Sequence, residues 1–379
     1  MQLKQRMEEN MKKLFISFLI IGISLILNCQ KKQEWKIGCI SPFTGDGAVY
    51  GQALKRGFEI FLEELKSKEP DVYKKIKIIY EDDKLDAKEG VNVINKLINV
   101  DKVQVIIGAF TSNVTLAIAP IAEKNKVVLL TPTATNYKIK DAGDYIFRVT
   151  PSDALQGKVM ADFSFNVLKK KTASILFMNT DYGVGLKDVF QEQFSKIGGK
   201  ILSVEGFEMG ASDMRTQIQK IKSYNPEVVF LPSNYVEASN VLKQAKELGI
   251  RSLLIGTDGI FDQNFLKITK GAANGMYIST MAWGTGKYKV QADQFRTKFR
   301  EKYNEEPGVY SALCYDALAV VIQALENCKY KGTSIKDQLY KTEFMGATGQ
   351  NRFDSFGEVE KEFDIYQVKD NKFERFENK

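Results

Sequence analysis

Residues 104–135 read QVIIGAFTSNVTLAIAPIAEKNKVVLLTPTAT. Gln104–Gly108 is a short apolar run closed by glycine, and hydroxyl residues follow it. A helical spacing of apolar residues then runs over Asn113–Lys124, and a second apolar run, Val127–Leu130, ends in Thr131-Pro132-Thr133-Ala134-Thr135. Short apolar runs bounded by turn residues read as buried strands, and the longer amphipathic stretch between them reads as a helix. A strand–helix–strand unit of this kind implies parallel strands with the helix packed on the sheet.

The unit extends in both directions. Upstream lie strand Lys36–Ile40, a helix near Gln52–Lys66, strand Lys75–Tyr80 and a helix over Ala87–Asn99. Strand Tyr145–Val149 follows, and the pattern restarts after Thr150-Pro151. The second round runs through helices Ala154–Leu168, Val184–Lys196, Asp213–Ser223 and Val236–Leu248. Its strands are Ala173–Met178, Lys200–Glu205, Glu227–Leu231 and Leu253–Gly256. Strand Met276–Thr280, helices near Lys289–Tyr303, Tyr310–Asn327 and Ile335–Thr342, and a strand-like tail over Glu360–Phe373 complete the chain. The expected fold is α/β, with two doubly wound parallel-sheet lobes joined by a multi-strand hinge. The division places 36–149 with 280–352 in the N-terminal lobe and 150–279 with 353–379 in the C-terminal lobe. Crossovers are expected near Thr150, Ile278 and Phe353. Ligands of such sheets bind outside the carboxyl ends of strands, so the loops there carry the chemistry.

The N-terminus has its own logic. Met11–Cys29 reads MKKLFISFLIIGISLILNC, two lysines ahead of an apolar run from Leu14 to Leu27. A basic start with a short apolar core is a secretory signal, and the run is short for a spanning helix. Because it ends at cysteine, it resembles a bacterial lipoprotein signal. Residues 1–28 would be the signal, Cys29 the acylated residue and 29–35 a lipidated tether. Asn28 stands where glycine, alanine or serine is usual, and an uncleaved anchor is the alternative. Either reading exports the chain and ties it to a membrane surface.

The net charge is +7, and loss of residues 1–28 would leave +5. Acidic and basic residues are interspersed, which gives no nucleic-acid footprint. There is no histidine, which removes the commonest general base and the usual serine and cysteine triads. Cys39, Cys314 and Cys328 read as buried thiols, with a pairing of Cys39 left open. No cofactor and no metal are expected. Asp82 and Asp83 read as a solvated turn, with Asp86 capping the next helix.

Five loops follow strands. Ser41–Gly51 is glycine-rich and opens a helix, without the Lys-Ser/Thr of a phosphate loop. Gly108–Asn113 places Ser112 at a helix start, either as a plain cap or as a receiver of a carboxylate. Thr131–Thr135 crowds hydroxyls, Asp181–Gly185 offers an aromatic face, and Gly256–Gly259 carries an acid in a tight turn.

Together, in this order, these loops resemble the branched-chain amino-acid binding proteins of ABC transporters, with the type I periplasmic-binding fold. Tyr80-Glu81-Asp82-Asp83 and Tyr315-Asp316-Ala317 fit the same pattern, which covers Trp35 to about Val368. The resemblance implies that Ser112 holds a ligand carboxylate, Thr135 offers its hydroxyl and Thr133 a backbone carbonyl. It implies that Tyr182 closes over the ligand and Asp258 meets an ammonium. Aspartate stands there where the best-known members have glutamate. Tyr50, Tyr235 and Tyr310 are expected wall residues. The implied partners are a small-molecule ligand, an ABC permease, and a membrane through the lipid alone; the chain is expected to be a monomer. Three rivals remain: a sensor of an amide, urea or amino acid, an exported hydrolase using Ser112, and a structural lipoprotein.

Overall fold

A computed structural model describes residues 34–328 and 332–377, together with Met11. Cys29 and the signal lie outside the described residues. Five strands make the first sheet: β1 (Trp35–Ser41), β2 (Ile76–Asp82), β3 (Val105–Ile107), β4 (Val128–Thr131) and β5 (Ile146–Arg148). All are parallel, in the order β2-β1-β3-β4-β5. Every residue of β3 is fully buried, as a strand covered by helices on both faces requires.

The second sheet repeats the plan with β6 (Thr172–Met178), β7 (Lys200–Phe207), β8 (Val228–Leu231), β9 (Leu253–Gly256) and β10 (Tyr277–Met281). A two-residue hairpin (β11, Glu343–Gly346; β12, Gly349–Arg352) stands apart. The last strands, β13 (Phe363–Lys369) and β14 (Lys372–Arg375), join the second sheet antiparallel, giving β14-β13-β10-β9-β8-β6-β7. In each sheet the order reverses beside the first strand of the unit, between β1 and β3 and between β6 and β8. Such switch points leave a crevice at the carboxyl ends.

The chain passes between the sheets three times, over residues 149–152, 282–288 and 353–362. The expected break at 279/280 falls inside β10, whose pairing with β13 runs on to Met281↔Phe363. Ile278, expected near a hinge, is bonded between Gly256 and Tyr366 in the sheet interior. Trp35, expected in the tether, is already paired with Ile76 and buried. The β11–β12 hairpin and the short helix Gln263–Thr269 have no counterpart in the sequence reading. Both are too short for apolar periodicity to register.

Helix Val309–Cys328 is the apolar spine of the first lobe and packs along helix Ala48–Lys68. By length and mean hydropathy (1.4) it could cross a membrane, but most of it is buried inside the fold. Cys39, Cys314 and Cys328 are free and buried. Asp86 caps its helix, accepting from the Glu89 N–H at 2.9 Å. Asp82 accepts from the N–H groups of Phe43 and Lys84. Asp83 departs from the solvated turn expected for it: it is fully buried, and its Oδ2 has no partner.

Candidate functional site

One cavity of about 50 Å³ lies between the two switch points. Ser112, Thr133, Thr135, Tyr50 and Tyr310 line it from the first lobe, Tyr182 and Asp258 from the second. Seven of the eight expected residues therefore share one space. Tyr235 is not among the lining residues; it belongs to the buried core of the molecule. As the first residue of helix Tyr235–Glu247, it has its side chain committed to packing, and its neighbour Asn234 lines the cavity instead.

At one end, helix Ser112–Asn125 begins at the cavity wall, and Thr111 provides no side-chain cap. The first-turn N–H groups of a helix have no intrahelical acceptor and carry its positive partial charge. Ser112 Oγ accepts the Asn136 N–H at 3.2 Å, which leaves the hydroxyl hydrogen free to donate inward. Thr111 Oγ1 is buried without a partner. The Thr133 hydroxyl donates to the Phe110 carbonyl at 2.6 Å and so locks the two loops together. The Thr135 carbonyl is occupied by Arg148 (2.8 Å) and by the Asp153 N–H (2.8 Å).

The opposite end is acidic. Asp258 Oδ1 accepts from the Tyr182 hydroxyl at 2.8 Å. Tyr182 Oη also bonds Thr257 Oγ1 (2.7 Å) and accepts from the Gly259 N–H (3.1 Å). A Cβ at residue 259 would meet the Ser233 carbonyl at 2.6 Å, so this turn needs glycine. Burial raises the Asp258 carboxyl above its usual range, and the Tyr182 hydrogen bond opposes that shift. Asp153 lies behind Thr135, fully buried, with neither carboxylate oxygen in an aligned hydrogen bond. Burial, and then the charge of Asp258, push its carboxyl well above the usual range. Among the described residues, no lysine or arginine lines the cavity. Arg148 bonds the Thr135 and Asn136 carbonyls from behind and is paired with Glu358.

The walls between the two ends are apolar. Tyr50 stacks on Phe110 with centroids 4.8 Å apart, and Tyr310 meets both edge-on at 6.1 and 5.3 Å. Met178 and Met209 face them from the second lobe. The lobes touch across the cavity: Tyr310 donates to the Asp258 carbonyl at 3.1 Å, and the Asn136 amide donates to the Asp181 carbonyl. The sequence reading passed over Met178, Thr180, Met209 and Asn234. All four fall at or just after the ends of β6, β7 and β8, so the carboxyl-end rule, applied to every strand, reaches them.

A family model described as periplasmic binding protein matches residues 34–372. The chain belongs to this family. Membership implies an extracytoplasmic location and a transport context. The chain is 26% identical to the leucine-, isoleucine-, valine-, threonine-, and alanine-binding protein of Pseudomonas aeruginosa, over 95% of this chain and 96% of that protein. It superimposes on the leucine binding protein LivK of Thermotoga maritima with a TM-score of 0.84 and 29% identity, covering 90% of this chain and 97% of that one. The branched-chain amino acid transporter substrate binding protein LivJ of Streptococcus pneumoniae, in complex with isoleucine, gives 0.82 and 29%, over 90% and 98%. These neighbours confirm the expected two-lobed type I fold.

Proposed function

We propose that this protein captures an α-amino acid with an apolar side chain, leucine, isoleucine or valine, and hands it to an ABC permease. The observation that carries this reading is one cavity lined by donors from the first lobe and by an acid from the second. Ser112 and the open helix turn lie at one end, and Asp258, held by Tyr182, lies at the other. A zwitterion matches both ends at once. Charge-assisted hydrogen bonds in a site closed from water are stronger than neutral ones. The names of the relatives above support the same class. Ser112 and the Thr135 hydroxyl then hold the carboxylate side, the Thr133 backbone and Asp258 the ammonium, and Tyr50, Tyr310 and Tyr182 the walls. Tyr235 is left as a core residue.

Two lobes, 35–148 with 289–352 and 153–281 with 363–375, close on the ligand about the three crossovers between them. The protein acts as a monomer tied to the membrane by lipid on Cys29. It makes and breaks no bond and uses no cofactor. The test is thermal unfolding of residues 30–379 against amino acids, amides and small carboxylates. A ligand present at 100 times its Kd stabilises the folded form by about 2.7 kcal/mol. A strong shift with one branched-chain amino acid, lost in Ser112→Ala and Asp258→Ala, supports the reading; no shift with any amino acid overturns it.

A further inference from the structure

Tyr315, Asp316 and Ala317 are not among the residues that line the cavity, and Asp316 is a fully buried acid beside the three crossovers. Its carboxylate accepts from the Ala347 N–H (2.6 Å), the Thr348 N–H (3.0 Å), the Thr348 hydroxyl and the Asn351 amide (3.0 Å). All four donors sit on the β11–β12 hairpin or its turn. Lys361, on the third crossover, donates to Asn351 Oδ1 (3.0 Å), to Thr348 Oγ1 (2.6 Å) and to the Val149 carbonyl of the first crossover (2.6 Å). Trp283, on the second crossover, donates its Nε1–H to the Ala347 carbonyl at 3.0 Å. The hairpin thus ties all three connections to one acid on the spine helix of the first lobe. Gly346 makes the fit possible, since a Cβ there would stand 2.1 Å from Asp316 Oδ1.

We propose that Asp316, Lys361 and the β11–β12 hairpin form the fulcrum of lobe movement, with Asp316 and Lys361 as positioning residues for closure. This rests on the reading of the protein as a closing two-lobed binder. The two charges are joined through Thr348 and Asn351, whose hydroxyl and amide donate to Asp316 and whose oxygens accept from Lys361. Burial lowers the Lys361 ammonium to about 8 while Asp316 opposes, and burial also raises the Asp316 carboxyl. The network therefore fixes the geometry of the three crossovers relative to the spine helix. With the fulcrum loosened, the lobes sample more relative orientations. The orientation that closes is then less populated, and apparent affinity falls by that fraction.

The test is the double variant Asp316→Asn/Lys361→Met beside the wild type, with L-leucine, L-isoleucine and L-valine as probes. The expected result is a variant that still folds, with a lower unfolding midpoint because buried acceptors lose their donor, and with Kd raised roughly 5- to 150-fold, the usual span of coupling between distant sites. Spin labels at Lys124→Cys and Lys196→Cys, one on each lobe, read the lobe separation without ligand. The distance distribution is expected to broaden in the double variant. A folded double variant with unchanged Kd and an unchanged distribution overturns the proposal. If the wild type binds none of the three amino acids, the ligand reading fails, and the ligand-free distribution alone decides the fulcrum. If the double variant does not fold, Lys361→Arg, which keeps the charge and alters the geometry, is judged by the same two readouts.

Discussion

Replacing Asp258 with asparagine isolates the charge at the acidic end from its geometry. The asparagine oxygen can still accept from the Tyr182 hydroxyl, which stands 2.8 Å from Asp258 Oδ1, so the turn and the Tyr182–Gly259 bond survive. What is lost is a carboxylate facing an ammonium. At 4 Å and an effective dielectric near 20, the Coulomb attraction is about 4 kcal/mol. Burial has already raised the Asp258 carboxyl, so part of that attraction goes into keeping the group ionised. The net loss is then that of one hydrogen bond to a charged group, about 1.5–3 kcal/mol. At 1.4 kcal/mol per decade, Kd for leucine rises roughly 10- to 150-fold. Isothermal calorimetry with leucine and with its 2-oxo acid reads this directly. The 2-oxo acid carries no ammonium and should bind the variant at least as well as it binds the wild type. A leucine Kd within threefold of wild type, or an equal loss for both ligands, would refute the assignment of Asp258 to the ammonium.

Tyr182→Phe removes the bonds to Thr257 and Asp258 and leaves the Gly259 N–H without its acceptor; leucine affinity should fall about tenfold or more by calorimetry, as a deleted hydrogen bond to a charged group implies. Burial raises the Asp83 carboxyl from 3.8 to about 7. Its folded form holds a proton that its unfolded form has released, so stability from this group is full below pH 3.8 and is lost as pH rises through 7. At 1.36 kcal/mol per pKa unit the loss approaches about 4 kcal/mol, and Asp83→Asn should unfold at a higher temperature than wild type at pH 8 but not at pH 4. Gly346→Ala drives a methyl group into Asp316 and should cost about 1–3 kcal/mol or more in urea unfolding. Cys29→Ser should abolish labelling of the protein by a fatty-acid probe, whereas an uncleaved anchor carries no such label with either residue.

The parts of the molecule that repeat a period were legible in the sequence. Val105–Ile107 and Val128–Thr131 are strands because a run buried on both faces can be nothing but apolar. The loops that follow them lie at the carboxyl ends of the first sheet, where ligands of such sheets bind. Ser112, Thr135, Tyr182 and Asp258 were reachable for that reason, and through a family pattern. Tyr235 was not separable from Asn234 in sequence: both open the same helix, and only the packed structure decides which faces the cavity. The β11–β12 hairpin and the burial of Asp83 were invisible for a related reason. Four-residue strands carry too few positions for a period, and an aspartate in a turn looks the same whether water or protein surrounds it. The Trp283 Nε1–H bond to the Ala347 carbonyl, which ties the second crossover to the hairpin, is equally invisible in the sequence.

The spine helix Val309–Cys328 has a consequence for the life of the chain before it folds. An exported polypeptide threads a translocation channel as an extended strand, and each segment is sampled there by the lipid beside the pore. This segment has the length and mean hydropathy of one that would leave sideways and stay in the bilayer. Asp316 lies in its interior, and an aspartate at the centre of such a helix costs about 2.5–3.5 kcal/mol for insertion. The acid proposed above as part of the fulcrum therefore also makes this segment costlier to leave in a bilayer. Asp316→Leu should therefore shift part of the product into an alkali-resistant membrane fraction even when Cys29 is absent.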